Sequence, residues 1–181
     1  MVRVFGLLFV LLFSLAACET TALRLGPDGK PLPQVYRISN EASVQLRMLD
    51  AVNSLRRASG VDDLQLNSAL TAAAATHSRD MSVQNRPWHF GSDGSSPLDR
   101  VVRAGFRGTL VGENISETYE SELETLAAWM QRDDTREVLL APEAANMGFS
   151  WYQEPSGKIW WTLVTGTAEN QAAPAGPGLQ G

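Results

Sequence analysis

The chain has 181 residues, 44% of them hydrophobic and 19% charged, with 15 Lys and Arg against 20 Asp and Glu for a formal net charge of −5. That length and apolar content suit a single globular domain with one core. With no dense Lys/Arg cluster, the acidic balance excludes nucleic acid as a partner, because such binding rests on neutralising phosphates. The chain also lacks a Walker-type or dinucleotide glycine motif and a Cys-x-x-Cys pair.

Residues 1–17 carry one charge, Arg3, followed by an apolar run from Val4 to Leu15. A basic start, a short apolar run and small residues at its end predict a secretory signal, too short to span a bilayer comfortably. The run ends Leu15-Ala16-Ala17-Cys18, which resembles the bacterial lipobox. That resemblance implies cleavage before Cys18 and lipidation of Cys18. A plain signal peptide cut after Ala17 and an uncleaved anchor are the alternatives. Cys18 is the single cysteine, so no disulfide is available and the domain must stand on its core. Residues 18–38 read as a tether. The Gly26-Pro27-Asp28-Gly29 turn and Pro31 and Pro33 disfavour helix there, and Gln34 to Ile38 could lie on the domain as a short strand. Glu19 gives no inner-membrane retention signal of the aspartate type. By analogy with lipoprotein sorting, the expected location is extracytoplasmic and membrane-anchored, at the outer membrane or in the periplasm of a Gram-negative cell.

A first helix is expected from about Ser39-Asn40-Glu41 to Ala58, with an apolar stripe of Leu46, Leu49, Val52 and Leu55. Residues 61–67 read as a loop. Asn67 or Ser68 caps a second helix reaching about Asn85, whose buried face holds Leu70, Ala73, Ala74, His77 and Met81. Arg86-Pro87 stops it. Ser96 followed by Pro97 starts a third helix, closed after Ala104 by Gly105. Phe106 to Val111 is partly extended. Ser121-Glu122-Leu123-Glu124 is a capping box opening a fourth helix with Leu123, Leu126, Ala127 and Met130 facing inward. One further turn is expected at Asp133–Glu137. Aromatic and β-branched runs at 146–152 and 158–165, around the Glu154-Pro155-Ser156-Gly157 turn, predict a hairpin. Residues 168–181, rich in Ala, Pro, Gly and Gln, predict a disordered tail.

The chemistry concentrates between Trp88 and Asn114. His89 follows a tryptophan and precedes a Gly/Ser loop, and Glu113 lies in Gly112-Glu113-Asn114. His89 could coordinate a metal or act as a general base, or order the loop by bonding backbone and Glu113. Glu113 could polarise a water, or accept backbone N–H bonds that fix its turn. His77, on an apolar helical stripe, reads as a core histidine. Turn and cap chemistry accounts for Ser92, Ser95 and Ser96. Trp88, Trp160 and Trp161 could line a groove or pack in the core.

Taken in order, Asn53…Arg56, Leu64…Leu66-Asn67, His77-Ser78…Met81, Trp88-His89-Phe90-Gly91-Ser92-Asp93-Gly94, Asp99-Arg100, Gly112-Glu113-Asn114-Ile115 and Trp129-Met130 resemble a bacterial CAP domain. This is the superfamily of cysteine-rich secretory proteins, antigen 5 and pathogenesis-related 1 proteins. The resemblance spans residues 39–167 and implies an α+β fold: an α-β-α sandwich with a small antiparallel sheet between helical layers. It also implies a cleft with two histidines and one or two carboxylates, which in some members holds zinc or another divalent ion. His89 and Glu113 match that pattern as metal or catalytic residues, while Thr135 stands where the second histidine is expected. Trp88, His89, Glu113, Asn114 and Thr135 are the expected ligand-binding set. Two ligands hold a divalent ion weakly, so a non-enzymatic module binding a small amphiphile, glycan or peptide in the envelope is favoured. A hydrolase of peptidase type using His89 and Glu113, and a structural envelope protein, are the alternatives.

Overall fold

The structure, a computed structural model, describes residues 37–168. The signal at 1–17, lipidation at Cys18, most of the tether and all but the first residue of the tail lie outside them. In chain order the elements are α1 (Glu41–Ala58), β1 (Gln65–Leu66), α2 (Ser68–Gln84), α3 (Pro97–Arg103), β2 (Leu110–Glu117), α4 (Glu122–Met130), α5 (Asp133–Leu140), β3 (Asn146–Gln153) and β4 (Ile159–Gly166). The four strands form one sheet in the order β1-β3-β4-β2.

Local chemistry sets most helix ends as expected. Asn67 accepts from the amides of Ala69 and Leu70 to start α2, and Ser96 and Ser121 open α3 and α4 with reciprocal capping boxes to Asp99 and Glu124. β3 and β4 form the expected antiparallel hairpin, and β2 pairs antiparallel with β4 from Leu110 to Glu117.

Side chains alternate across the sheet. Met147, Phe149, Trp161 and Leu163 share one cluster with Val44, Met48 and Val52 of α1, Leu126 and Trp129 of α4 and Leu139 of α5. Val164 packs on the other face with Leu70, Ala73 and Ala74 of α2 and Val101 of α3. The sheet therefore lies between two helical layers. Phe149 and Trp161 stack at 5.6 Å between ring centroids, which adds directional packing to the buried area of the first cluster.

Several expectations need correction. The sheet is mixed, because Gln65 and Leu66 pair parallel with Asn146 and Met147; the stretch expected as loop is too short for any alternation to show. Leu110–Glu117 is a full strand, which the poor strand propensities of Gly112, Glu113 and Asn114 conceal. α5 runs two turns rather than one. The buried stripe of α1 is Val44, Met48 and Val52 together with Asn53 and Arg56, and Leu46 is 52% exposed. Polar inward positions explain the rotation: Arg56 donates to the carbonyls of Asp62, Leu139, Ala141 and Ala144, and Asn53 both donates to and accepts from Leu64. Likewise α4 buries Glu122, Thr125, Leu126 and Trp129, leaving Leu123 47% exposed, because Glu122 turns in to meet Arg47 of α1 at 2.7 Å. The segment before α1 is not a strand at Arg37 and Ile38. Arg37 instead donates to the carbonyls of Glu154 and Pro155 on the β3–β4 turn.

Helix and sheet meet most tightly where α2 crosses β3 at Gly148. A Cβ on Gly148 would sit 2.1 Å from the carbonyl carbon of Leu70 and 2.2 Å from the amide nitrogen of Thr71. Backbone cannot yield as a side-chain tip can, so Gly148→Ala is expected to destabilise the fold by about 3 kcal/mol or more. The check is a thermal melt, in which an unchanged midpoint would contradict this packing.

Candidate functional site

The site forms where the loop after α2 and the first turn of α3 meet β2. The register places Glu113 opposite Val164, on the α2–α3 face of the sheet. Ser96 and Pro97 fix the start of α3, so Arg100, one turn in, reaches the same point. Its guanidinium donates through Nη2 to both carboxylate oxygens of Glu113, at 2.9 and 2.7 Å, and through Nη1 to the Ser95 carbonyl at 3.0 Å. Both side chains are buried. His89 Nδ1 donates to Glu113 Oε1 at 2.9 Å while the ring stays half exposed. His77, fully buried, donates from Nε2 to the Trp88 carbonyl at 2.9 Å and lies 3.7 Å from Glu113 Oε1. One carboxylate thus gathers two elements and a loop.

Glu113 therefore holds its place through side chains, not through the backbone amides expected from its turn. Arg100 is the functional residue that sequence reading missed. A basic residue in a short helix reads as a surface group, and only the capped start of α3 hints that it turns inward.

A cleft of about 680 Å³ opens beside this carboxylate, with Trp88, His89, Glu113, Trp129, Arg132 and Thr135 in its walls. Four of the five residues expected to bind ligand thus line one space. Asn114 points to the opposite face: it is buried, and its amide donates to the Thr135 carbonyl at 2.8 Å. Thr135 Oγ1 donates to the Trp129 carbonyl at 2.6 Å. Arg86 lies over the Trp88 ring at 3.9 Å, and the Trp88 indole donates to Gln84. Trp160 and Trp161 are fully buried and do not reach the cleft wall.

The donor set does not suit a divalent ion. Glu113 already accepts from Arg100 and His89, the Nδ1 of His89 is committed to Glu113, and the Thr135 hydroxyl is committed to a carbonyl. Among the described residues no group of three or more His, Cys, Asp or Glu side chains converges as a metal site would require.

Burial lowers the pKa of His77, opposed by the Glu113 carboxylate and reinforced by the Arg100 guanidinium, with the Trp88 carbonyl and Asp80 pulling upward. Nδ1 of this ring has no partner among the described residues, so a second proton there would be unsatisfied. A histidine whose folded pKa is depressed favours the unfolded chain on protonation. Its cost is absent above the unfolded value near 6.5 and grows as pH falls below it. The melting temperature is therefore expected to drop from pH 7 to pH 5, and His77→Gln is expected to flatten that slope. Equal slopes for the two proteins would contradict a neutral buried His77.

Residues 49–165 match the cysteine-rich secretory protein (CAP) family. The chain is 27% identical over 122 residues to the uncharacterized protein YkwD of Bacillus subtilis, covering 67% of this chain and 47% of that protein. It therefore spans about half the length of the curated relative it matches. In fold it is similar to an outer surface protein of Borrelia burgdorferi, with a TM-score of 0.64 at 14% identity over 75% of this chain and 100% of that one. It is also similar to an extracellular protein of Bacillus anthracis containing an SCP domain, with a TM-score of 0.63 at 19% identity over 74% of this chain and 45% of that one. The motifs, the sandwich and the family match agree: the chain belongs to the CAP family.

Proposed function

We propose that this CAP domain is a non-enzymatic binding module of the cell envelope, carried there by a lipid on Cys18, and that its cleft holds a small ligand against His89. The observation that carries the reading is the saturation of Glu113. With Arg100 Nη2 donating to both of its oxygens and His89 donating to one of them, this carboxylate keeps little free acceptor capacity for a metal or a substrate. The half-exposed His89 ring, held by Glu113 at Nδ1, presents Nε2 as a fixed hydrogen-bonding group. Trp88 and Thr135 flank it within the same cleft. An extracytoplasmic site accords with the signal-like start and with relatives described as outer surface and extracellular proteins. No helix among the described residues is long and apolar enough to cross a membrane. The proposed anchor is the lipid on the lipobox cysteine.

The test is mass spectrometry of the chain purified from its own envelope. The expected result is an intact mass carrying a lipid on Cys18 and a reproducible co-purifying molecule that His89→Ala loses without a change in melting temperature. Empty protein, or turnover of peptide substrates that His89→Ala abolishes, would overturn the binding reading.

A further inference from the structure

β2 is an edge strand, paired with β4 on one side only. The direction of its outward backbone groups follows from the ladder. The Thr118 amide donates to the Ile159 carbonyl, and the Glu154 amide donates to that of Lys158. In an antiparallel pair, hydrogen-bonded and non-bonded residues alternate. With Glu117 opposite Trp160 and Gln153 opposite Ile159, Asn114, Ser116 and Thr118 turn their backbone groups toward β4. Glu113, Ile115 and Glu117 turn theirs away from the sheet. The Trp129 indole independently marks that direction by donating to the Ile115 carbonyl at 3.2 Å.

These outward groups sit in the cleft. Glu113, Ile115 and Glu117 all contribute to its wall, between Trp88 and His89 on one side and Trp129 and Thr135 on the other. β2 carries no proline or lysine to blunt the edge. The lining mixes the apolar Trp88, Ile115 and Trp129 with the polar Ser116, Thr118 and Arg132, so side chains alone do not select the ligand. Backbone donors and acceptors in register along a strand match one ligand chemistry above others, a second extended polypeptide.

Resting on the reading of the cleft as a binding site, we propose that its ligand is an extended peptide that adds to the sheet as a fifth strand along β2. It pairs with the outward N–H groups of Ile115 and Glu117 and with the Glu117 C=O, where it displaces the long 3.4 Å bond from the Ser116 hydroxyl. The Ile115 carbonyl stays with Trp129, so the added strand is short and lies toward the Glu117 end, with its upper side chains near His89.

Backbone pairing is tolerant of sequence, so the probe is a mixed pool of end-blocked L-hexapeptides, beside the same pool N-methylated at alternate residues. The readout is amide proton exchange in the purified chain. The unmethylated pool is expected to slow exchange at Ile115 and Glu117 by about tenfold or more, and the methylated pool to leave it unchanged. Ile115→Pro removes the outward donor while sparing the bonds of Asn114 and Ser116 to β4. Edge strands tolerate proline at such positions, so this variant is expected to melt near wild type and lose the protection. Equal protection by both pools, or protection that survives in Ile115→Pro, would overturn strand pairing while leaving ligand binding in the cleft intact. No protection by either pool, with a non-peptide molecule found in the protein from its own envelope, would overturn the peptide class alone. An empty protein in that preparation would remove the underlying binding reading.

Discussion

The pair formed by Arg100 and Glu113 is the contact on which the site depends. Both side chains are almost fully withdrawn from water, and an isolated carboxylate there would be costly. The guanidinium offsets that cost with two bonds from Nη2, one to each carboxylate oxygen, and a third from Nη1 to the Ser95 carbonyl. Arg100 can reach only because Ser96 and Asp99 cap α3 reciprocally and Pro97 sets its first turn. Glu113 can receive it only because β2 holds its register against β4. Helix capping and sheet pairing, two local and separate effects, therefore converge on one ion pair. His89 and the loop that carries it are then ordered around a fixed negative charge.

The same topology explains why there is a cleft at all. β4 is one of the two inner strands, buried along its whole length and bonded on both sides. β2 lies outside it, at the edge of the sheet. One layer ends in the Trp88–His89 loop, and the other presents the junction of α4 and α5. Trp129 satisfies one edge carbonyl, and Asn114 and Thr135 tie β2 to the start of α5 from the opposite face. What remains between the layers is an open strip of backbone flanked by an aromatic ring, an imidazole and a threonine.

Much of this was legible in the residues themselves. The caps of α2, α3 and α4, the aromatic hairpin, the buried histidine on α2 and the ordered motifs of the CAP family all carry local or strongly periodic signals. What was missed has a common cause. Arg56, Asn53, Glu122 and Arg100 are polar residues turned inward to satisfy carbonyls or opposite charges far away in sequence. An apolar stripe read from periodicity assigns them to solvent, and so rotates the inferred faces of α1 and α4. β2 was hidden because its central Gly-Glu-Asn is chosen for the site and not for strand propensity, and tertiary pairing overrides that preference. β1 is held by two backbone pairs that leave no pattern. His89, Glu113, Trp88 and Thr135 were singled out from their motifs and meet around one cleft. Asn114, one residue along the strand, was expected in the same ligand-binding set but turns to the opposite face, because a strand sends neighbours to opposite sides.

The most direct measurement is a double-mutant cycle on the central pair, with unfolding free energies for Arg100→Met, Glu113→Gln and both together. Removing either partner leaves the other buried without its counter-charge, so each single change is expected to cost about 3–5 kcal/mol. The double variant, which leaves no unpaired charge, is expected to cost little more than one single change, a coupling of about 3 kcal/mol or more. Strictly additive losses would contradict the claim that this ion pair organises the site.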